Sequence, residues 1–473
     1  MDKNEFRKRG HELVDWMADY LESKESYPVT PDVEPGDIYA KLPDNAPEEG
    51  EEFDRIFADF QRIIMPGMTH WQNPAFFGYF PANNSEPSIL AEMLMSTLGA
   101  QCMSWITSPA AAELEEKVCD WLREAKGINS NWKGCIHDTA STATLSAILA
   151  AREKHSGFQI NKSGFTGKEK FRVYSSSHVH SSIDKAVKIS GIGEENLVRV
   201  DVDENFSMIP EALERAIRHD LAQGLTPLMV ISALGTTSST AVDPIGEITR
   251  VCRDYQVWHH IDAAFAGTAL LLPEYQTLIH GHDEADSYVF NPHKWMMTNF
   301  DCTVMFLKEP EYLVKTFSLT PEYLKTDLDE KVNNYRDWGI PLGRRFRALK
   351  LWFVLRSYGL EGLRKKLRHH LHLTKKAESW IRADSRLEIL APVNFNTICF
   401  RYVHHDLSTE KLNEINESWM STANATHKLF FSHTKLNDKY VIRWVIGQTD
   451  VEEKHIEAAW VLLKEQLHKT INS

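Results

Sequence analysis

The sequence predicts an α/β protein with a mostly parallel β-sheet, a helical segment before the sheet and an α+β domain after it. Between residues 85 and 310, short apolar and β-branched runs alternate with longer segments of helical periodicity. Strands that are apolar along their length and separated by helices are typical of a parallel sheet covered on both faces. The predicted strands are 171–176, 196–200, 227–233, 257–262, 286–290 and 303–307. The predicted helices are 85–99, 107–126, 139–155, 179–189, 209–223 and 244–255.

Residues 1–85 are predicted to form a helical flap. An amphipathic helix over 4–24 is followed by a proline-rich connection, a second helix near 50–64 and an aromatic segment. Two helices cannot enclose a core of their own. We therefore expect the flap to clasp another part of the molecule or a second subunit.

The stretch 311–342 interrupts the alternation with polar and charged residues, and we interpret it as a long functional loop, a lid. After it, 344–359 predicts an amphipathic helix that ends at Gly359. The remainder predicts an antiparallel α+β domain with strands at 386–390, 396–403, 427–433 and 439–446 and helices at 408–424 and 451–468. The predicted domains are therefore 1–85, 86–358 (which includes the lid) and 359–473.

Composition and charge argue against several classes of function. The 473 residues carry 53 lysines and arginines against 66 aspartates and glutamates, a net charge of −13 that disfavours nucleic-acid binding. The six cysteines form no C-x-x-C pair and the 21 histidines form no H-E-x-x-H pattern, so no metal site is predicted. No apolar run is long enough to span a membrane, and the charged N-terminal segment is unlike a secretory signal. We expect a cytoplasmic enzyme with no membrane and no nucleic-acid partner.

Two charged residues follow predicted strands whose ends should meet at one edge of the sheet. Lys294 lies just past the strand 286–290, in NPHKW, and precedes Trp295 and two methionines. An apolar pocket there would lower its pKa and favour the free amine that Schiff-base chemistry needs, although an exposed turn lysine is the alternative. Asp262 ends the strand 257–262, and the small residues after it leave room for a flat ring whose protonated nitrogen would pair with the carboxylate. A capping role at a helix start is the alternative for Asp262.

Three further segments complete the predicted site. Thr139, Ala140 and Ser141 begin a predicted helix and offer N–H and hydroxyl groups to an anion, although simple N-capping is the alternative. His180 and Thr237 each follow another predicted strand. One phosphate site, one ring partner and one amine at the strand ends of one sheet suit pyridoxal phosphate, and we predict that cofactor.

Motifs spread along the chain support the same interpretation. They are THWQNPAFFGYFP, SWITSPAAAELE, TASTATL, HVHSSIDKA, LGTTSST, HIDAAFAG, FNPHKW, NFDC, PEYLK and DWGIPLGRRFRALKLWFVLRSYG. In this order they resemble the group II pyridoxal-phosphate-dependent amino-acid decarboxylases, most closely the aromatic-L-amino-acid decarboxylases. The resemblance implies a sheet domain of the PLP-dependent transferase-like class (fold type I). It also implies a homodimer with its active site at the subunit interface.

The resemblance implies a role for individual residues. Lys294 would form the Schiff base with pyridoxal phosphate, and Asp262 would pair with the pyridine nitrogen. His180 and Ala264 would pack on the two faces of the ring. Tyr323, in the predicted lid, would donate a proton to the substrate Cα. The remaining cofactor-binding residues would be Thr139, Ala140, Ser141, Thr237, Asn291 and His293.

The implied reaction is decarboxylation of an aromatic L-amino acid, of the tryptophan, 5-hydroxytryptophan, dopa, tyrosine or phenylalanine class, to an arylalkylamine and carbon dioxide. Aldehyde-forming relatives carry phenylalanine at the lid tyrosine or asparagine at the stacking histidine, whereas this chain keeps Tyr323 and His180. An aromatic acetaldehyde synthase remains an alternative, as do glutamate, cysteine-sulfinate and histidine decarboxylases. The acidic substrates would need a cation in the pocket, and THWQNPAFFGYFP offers none.

The resemblance also implies a substrate pocket. Its residues would be Trp71, Tyr79, Phe80, Pro81, Ala82, Gln101, Met103, Phe300 and Gly343. Ala82, Gln101 and Met103 replace the threonine, isoleucine and phenylalanine typical of animal catecholamine-forming relatives, which weakens the case for a strict catechol preference. Gly343 matches the glycine of indole-using plant relatives, and its lack of a side chain makes room for an indole.

Overall fold

The computed structural model describes residues 1–319 and 331–472, which form two compact units. The first unit consists of Met1–Pro81, Ser379–Glu388 and Phe400–Ser473, and the second of Ala82–Glu378 and Ile389–Cys399. The first unit therefore joins the two ends of the chain, and the second contains the alternating region. The division into 1–85, 86–358 and 359–473 stays a prediction.

Helices and strands are numbered here in chain order. The helices are α1 (Lys3–Ser23), α2 (Phe53–Asp59), α3 (Glu86–Leu98), α4 (Pro109–Ala125), α5 (Ala140–Ser156), α6 (Gln159–Ser163), α7 (Ser182–Ile189), α8 (Pro210–Ala222), α9 (Ile245–Tyr255), α10 (Pro292–Trp295), α11 (Pro310–Phe317), α12 (Arg347–Ala383), α13 (Thr409–Asn424) and α14 (Glu453–Asn472). The strands are β1 (Lys133–His137), β2 (Phe171–Ser176), β3 (Leu197–Val200), β4 (Thr226–Ala233), β5 (Trp258–Asp262), β6 (Ser287–Phe290), β7 (Thr303–Leu307), β8 (Leu387–Ile389), β9 (Thr397–Tyr402), β10 (Ser432–Leu436) and β11 (Lys439–Val445).

The second unit is built on a seven-stranded sheet of order β1-β7-β6-β5-β4-β2-β3. Strands β3, β2, β4, β5 and β6 run parallel, while β7 is antiparallel to both β6 and β1. The mostly parallel sheet is therefore confirmed, and each predicted strand between 171 and 307 is present. The sequence does not predict β1, because KGCIH begins with a lysine and a glycine and is too short to form an apolar run.

Helices cover both faces of this sheet. On one face, α5 crosses the middle of the sheet and contacts β4, β5, β6 and β7, with Ala143, Ala147 and Ile148 fully buried. On the other face, α8 and α9 pack against β4, where Leu213 and Ile248 are fully buried. Because both faces are covered, the strands are apolar along their length, which is the pattern that the sequence shows.

Three features of the chain bear on the sequence predictions. The stretch 311–342 begins with α11 rather than a loop, because Pro310 suits the first helical position and Leu313 packs into the core beside α5. The strand predicted at 427–433 lies at Ser432–Leu436 instead, since Asn437 and Asp438 adopt positive φ angles and form the two-residue turn to β11. The predicted helix end at Gly359 is confirmed by its φ of 62°, and a second helical stretch follows it within α12.

In the first unit, the aromatic segment before residue 81 packs on the C-terminal strands. The ring of Phe77 lies 5.6 Å from that of Phe431 and 5.8 Å from that of Trp444. The Phe77 amide donates a hydrogen bond to the Phe430 carbonyl (2.8 Å), and the Phe77 carbonyl accepts one from the Val445 amide (3.1 Å). The sheet of β10, β11, β9 and β8, in that order, is thus extended by contacts from the other end of the chain. Within residues 1–319 and 331–472, no helix combines the length and the apolar composition needed to cross a bilayer.

Candidate active site

The candidate site lies at the carboxyl ends of the parallel strands in the second unit. Strand β5 ends at Asp262, β6 is followed by Asn291 and Lys294, and β2 is followed by His180. Strand β1 has the same direction as β6, and Thr139 follows it at the start of α5. Because the carboxyl ends of parallel strands share one edge, the fold brings these residues to the usual ligand-binding edge of such a sheet.

Lys294 lies in α10, the single helical turn after β6. Its amide donates a hydrogen bond to the Asn291 carbonyl (3.0 Å), and the next residues, Trp295 and Met296, are completely buried. Burial lowers the pKa of the Lys294 amine, and this effect outweighs the opposing effect of the Asp262 charge. The lysine therefore spends more of its time as the neutral, nucleophilic amine than a lysine in water does.

Asp262 is the last residue of β5 and is 9% exposed. Its Oδ1 accepts a hydrogen bond from the Ala264 amide (3.0 Å), and the Ala264 carbonyl accepts one from the Asn291 amide (2.9 Å). These bonds hold the turn after Asp262 beside the turn that carries Lys294. The packing there is close, because a Cβ added to Gly267 would lie 2.6 Å from Cβ of Phe290.

His180 lies between β2 and α7 and is exposed. Its Nδ1 accepts a hydrogen bond from the Ser182 amide (3.1 Å), so the neutral ring carries its proton on Nε2. The pKa of His180 is lowered by the partial enclosure of its ring and by the positive charge of Lys294, while Asp262 raises it. His180, Lys294 and Asp262 are thus close enough to influence one another electrostatically.

The start of α5 presents unbonded backbone donors at the same edge. Thr139 is the N-cap residue, and its side chain accepts a hydrogen bond from the Thr142 amide (3.4 Å). Thr139 therefore caps α5, a role that is compatible with anion binding by the same helix start. The amides of Ala140 and Ser141 lie in the first helical turn, where no intrahelical acceptor exists, and Ser141 is exposed. These amides and the positive end of the helix dipole favour an anion.

The other predicted cofactor-binding residues are placed as follows. Thr237 is half-buried in the loop after β4. Asn291 is buried, and its Oδ1 accepts a hydrogen bond from the Thr303 hydroxyl (2.9 Å). His293 is buried as well, and its Nδ1 accepts a hydrogen bond from the Cys302 amide (2.9 Å). Burial lowers the pKa of His293 to about 3, so its ring is neutral and ties the Lys294 turn to the start of β7.

The predicted substrate-pocket residues are divided between the two units. Trp71, Tyr79, Phe80 and Pro81 belong to the first unit, and Ala82, Gln101, Met103, Phe300 and Gly343 belong to the second. In the first unit, the rings of Trp71 and Tyr79 stack with their centroids 5.7 Å apart, and both are partly exposed. In the second, Phe300 is 61% exposed and its ring lies 4.8 Å from that of His293. A single pocket made from all these residues stays a prediction.

Gln101 and Gly343 are neighbours, although 242 positions separate them in the chain. The Gln101 Oε1 accepts a hydrogen bond from the Arg344 amide (2.7 Å), which identifies the polar partner of Gln101. A Cβ added to Gly343 would lie 3.3 Å from the Gln101 Nε2. The space that Gly343 leaves open is therefore bordered by an amide. A cavity of about 70 Å³ beside Gly343 also reaches Asp138 and Thr142 at the start of α5.

Sequence reasoning does not predict a role for Lys126, which lies at the C-terminal end of α4. Its side chain is completely buried, with Nζ 3.7 Å from the centroid of the Phe290 ring, and it donates a hydrogen bond to the Gly267 carbonyl. Lys126 thus supports the segment that follows Asp262. No local signal in the sequence distinguishes it from a surface lysine at a helix end. Tyr323, the predicted proton donor, lies outside the described residues.

Comparisons with known proteins agree with this geometry. The family described as "Pyridoxal-dependent decarboxylase conserved domain" matches residues 35–403. The chain is 42% identical to tryptophan decarboxylase 2 of Oryza sativa subsp. japonica, over 100% of this chain and 96% of that protein. It is 41% identical to phenylacetaldehyde synthase of Arabidopsis thaliana, over 99% of this chain and 98% of that protein.

A solved structure shows the same fold over nearly the whole length. The crystal structure of Oryza sativa TDC with PLP and tryptamine superposes with a TM-score of 0.95 at 33% identity, and the match covers 99% of each chain. The family match and the full-length similarity have one explanation: this chain belongs to the pyridoxal-dependent decarboxylases.

Proposed function

We propose that this chain decarboxylates aromatic L-amino acids, of the tryptophan, 5-hydroxytryptophan, dopa, tyrosine or phenylalanine class, to the corresponding arylalkylamine and carbon dioxide. One observation carries the proposal. The Lys294 amine, with its lowered pKa, lies within electrostatic reach of Asp262 and His180 at the edge of the sheet where α5 begins.

The donor groups at this edge fit pyridoxal phosphate, the cofactor of the family. The first-turn amides of α5 suit a phosphate dianion, the Asp262 carboxylate suits a protonated ring nitrogen, and the Lys294 amine suits an aldehyde. When bound, the cofactor supplies an acceptor for the electron pair that remains on Cα as carbon dioxide leaves.

The side chains of the protein bind the cofactor, keep it in the required protonation state and supply a proton to the substrate. Lys294 would hold the cofactor aldehyde through its neutral amine, and Asp262 would keep a proton on the ring nitrogen. His180 offers a flat, neutral ring to one face of the cofactor, and Ala264 a small side chain to the other. Tyr323 donates from its hydroxyl the proton that replaces carbon dioxide at Cα, a role that rests on the sequence alone.

The remaining site residues act on the cofactor and the substrate side chain. Thr139, Ala140, Ser141 and Asn291 hold the phosphate, and Thr237 lies by the ring hydroxyl. His293 is a further cofactor-binding residue. Aromatic residues such as Trp71, Tyr79 and Phe300 bind a flat side chain, and tryptophan decarboxylase 2 of rice is a full-length relative. Phenylacetaldehyde synthase of Arabidopsis is equally close, so an aldehyde product is the second candidate. Tyr323 and His180 favour the amine.

We also propose that the protein is a homodimer with its active site at the subunit interface. Helix α3 presents an apolar stripe to solvent: Leu90 is 52% exposed, Met93 38%, Leu94 48% and Leu98 65%. These residues follow the helical repeat and form one face, and a second copy of the chain would cover it. The six cysteines are buried and form no disulfide, which suits the reducing cytoplasm. Light scattering on the purified protein measures the assembly, and a monomer would contradict the dimer.

Product analysis tests the proposed reaction. Purified protein with pyridoxal phosphate is incubated with pooled aromatic amino acids, histidine, glutamate and cysteine sulfinate, and the products are identified by mass spectrometry. We expect arylalkylamines, and their relative yields rank the substrates. Amines from only the acidic amino acids or from histidine would contradict the aromatic pocket. Aryl acetaldehydes with ammonia would favour the second candidate.

A further inference from the structure

Two adjacent histidines are completely buried in β5, just before Asp262. His260 shares a face of the strand with Asp262, and its Nε2 lies 3.2 Å from the hydroxyl of Thr144 in α5. Its Nδ1 lies 2.8 Å from the hydroxyl of Ser287 in β6. Ser287 also accepts a hydrogen bond from the Trp258 indole (2.9 Å). His260 therefore links α5, which Thr139 caps, to β5, which ends at Asp262, and to β6, which precedes the turn that carries Lys294.

His259 points to the opposite face and makes a similar set of contacts. Its Nε2 lies 2.7 Å from the hydroxyl of Ser232 in β4, and its Nδ1 lies 3.0 Å from the hydroxyl of Thr249 in α9. Thr249 and Thr144 are equally buried. None of the predicted site residues belongs to α9, although Thr237 follows β4, so the bond to Thr249 is the one that leads away from the site. The two histidines thus differ in what they connect, not in their burial or in the kind of hydrogen bond that they make.

Both histidines are neutral at pH 7, because burial lowers the pKa of His260 to about 4 and that of His259 to about 3. Neither forms an ion pair with Asp262, so their contribution is geometric. Burying polar side chains between a helix and a sheet lowers the stability of the fold unless these side chains form hydrogen bonds. Such hydrogen bonds can form only at one position of the helix relative to the strand.

A small ligand that is held at two points makes this setting important. The short arm between the ring and the phosphate of pyridoxal phosphate limits the distance from the phosphate to the ring nitrogen, so the first turn of α5 and Asp262 must stay within a matching range. Resting on the proposed function, we propose that His260 is a positioning residue: through Thr144 and Ser287 it fixes α5 against β5 and β6 so that the phosphate-binding amides and Asp262 hold the same cofactor molecule. The bond between His259 and Thr249 has no such part.

Matched substitutions of the two threonines test the proposal. Thr144→Val and Thr249→Val each remove one buried hydroxyl without changing the size of the side chain. Equilibrium dialysis of the apoprotein measures the affinity for pyridoxal phosphate and, separately, for pyridoxal, which lacks the phosphate. Thr144→Ser, which keeps the hydroxyl, serves as the conservative variant.

We expect Thr144→Val to weaken pyridoxal phosphate about fivefold to tenfold, the equivalent of one buried hydrogen bond, while pyridoxal binding stays nearly constant. The affinity for pyridoxal is unaffected because this ligand has no phosphate and is held only by Lys294 and Asp262. Thr249→Val should leave both affinities within about twofold. It should lose at least as much thermal stability as Thr144→Val, because the Thr249 hydroxyl also donates a hydrogen bond to the Ile245 carbonyl (2.7 Å). Thr144→Ser should restore the affinity for pyridoxal phosphate.

Two results would overturn the proposal: equal effects of the two valine variants on pyridoxal phosphate, or an equal loss of both ligands in Thr144→Val. If Thr144→Val does not fold, His260→Gln and His260→Asn replace it. The glutamine amide reaches Thr144 as Nε2 does, whereas the asparagine amide reaches only Ser287, so the glutamine variant should bind the cofactor more tightly. The reverse order would also refute it. Failure of the proposed function is read separately, from the wild-type products.

Discussion

The carboxyl ends of the parallel strands form one edge of the seven-stranded sheet, the carboxyl edge, and their amino ends form the other, the amino edge. Each edge has a lysine near an aspartate, but the pKa of the lysine is shifted in opposite directions. At the carboxyl edge, burial lowers the pKa of Lys294 despite the nearby Asp262. At the amino edge, burial also acts on Lys154, but its hydrogen bond to Glu309 (2.8 Å) and the charge of Asp286 outweigh burial and raise its pKa. Lys154 Nζ lies 3.6 Å from Asp286 Oδ1.

The difference shows that a lysine stays charged where its burial is partial and its carboxylate partners outweigh that burial, and loses charge where burial is deeper and one carboxylate opposes it. Lys154 is in the last turn of α5, where the helix dipole favours a cation, and it has two carboxylates within reach. Lys294 is buried and is followed by Trp295 and two methionines that are completely buried, and the charge of its one carboxylate neighbour, Asp262, does not outweigh burial. At the amino edge, Lys154 thus forms a stabilising ion pair, and at the carboxyl edge, Lys294 is a reactive amine.

Replacing the two lysines should give the largest contrast. Lys294→Ala should lower amine formation on the order of 10³-fold or more, because it removes the nucleophile. It should also abolish the visible absorbance of the protein-bound cofactor, which spectrophotometry detects. Lys154→Ala should keep the spectrum and the rate, and lose about 1 kcal/mol or less in the free energy of unfolding. A Lys294→Ala variant that retains the visible band would remove Lys294 from its proposed role.

The aspartates provide the second contrast. Asp262→Asn should lower kcat about 10²-fold to 10³-fold, because the negative charge that holds the ring-nitrogen proton is lost. Asp286→Asn changes the same atoms at the amino edge and should leave kcat unchanged. Steady-state kinetics on both variants measure the effect. Equal losses of kcat in the two variants would contradict the proposed role of Asp262 in the active site.

Replacing Tyr323 should change the product of the reaction rather than the binding of the cofactor. Tyr323→Phe should retain cofactor absorbance but lower the amine yield about 10²-fold, since the positioned acid is missing. A carbonyl product and ammonia should replace the amine, and mass spectrometry distinguishes them. The natural matched control is Tyr312→Phe, a hydroxyl removed from α11. Unchanged amine from Tyr323→Phe would exclude the residue from the mechanism.

The pKa values themselves predict the smallest effect. An amine reacts with acylating reagents only when deprotonated, so its labelling rate rises as the pH passes its pKa. In the apoprotein, the Lys294 rate should rise at a lower pH than the Lys154 rate, because the pKa of Lys294 is lowered and that of Lys154 is raised. Pulse labelling at a series of pH values, read by peptide mass spectrometry, gives both midpoints. The opposite order would show that the environments are wrongly interpreted.

Much of the carboxyl edge is predictable because it depends on local order in the sequence. Lys294 and Asp262 each follow an apolar strand, and parallel strands bring their ends together whatever the rest of the chain does. The contacts that link distant positions are not predictable in this way. Gln101 meets the Arg344 amide, Lys126 meets the Gly267 carbonyl, and Thr144 meets His260. None of these pairs leaves a periodic or spacing signal, because each depends on how helices and loops finally pack.

The same limit applies to the first unit. The sequence predicts that the aromatic N-terminal segment packs on another surface. In the structure, that surface is formed by the C-terminal strands of the same chain. Nothing in the segment specifies which surface buries Phe77, since any apolar surface would satisfy the pattern. The turn at Asn437 and Asp438, in contrast, has a local sequence signal, because these residue types favour positive φ angles, and this turn sets the end of β10.

The joining of both chain ends in one unit has a consequence for synthesis in the cell. The strands of the seven-stranded sheet are complete at Leu307, whereas Phe76 and Phe77 are covered only when β10 and β11 have emerged from the ribosome. A chain that stops early therefore carries the whole carboxyl edge together with uncovered aromatic rings. Premature termination should yield an aggregating or rapidly degraded product rather than a partly active enzyme.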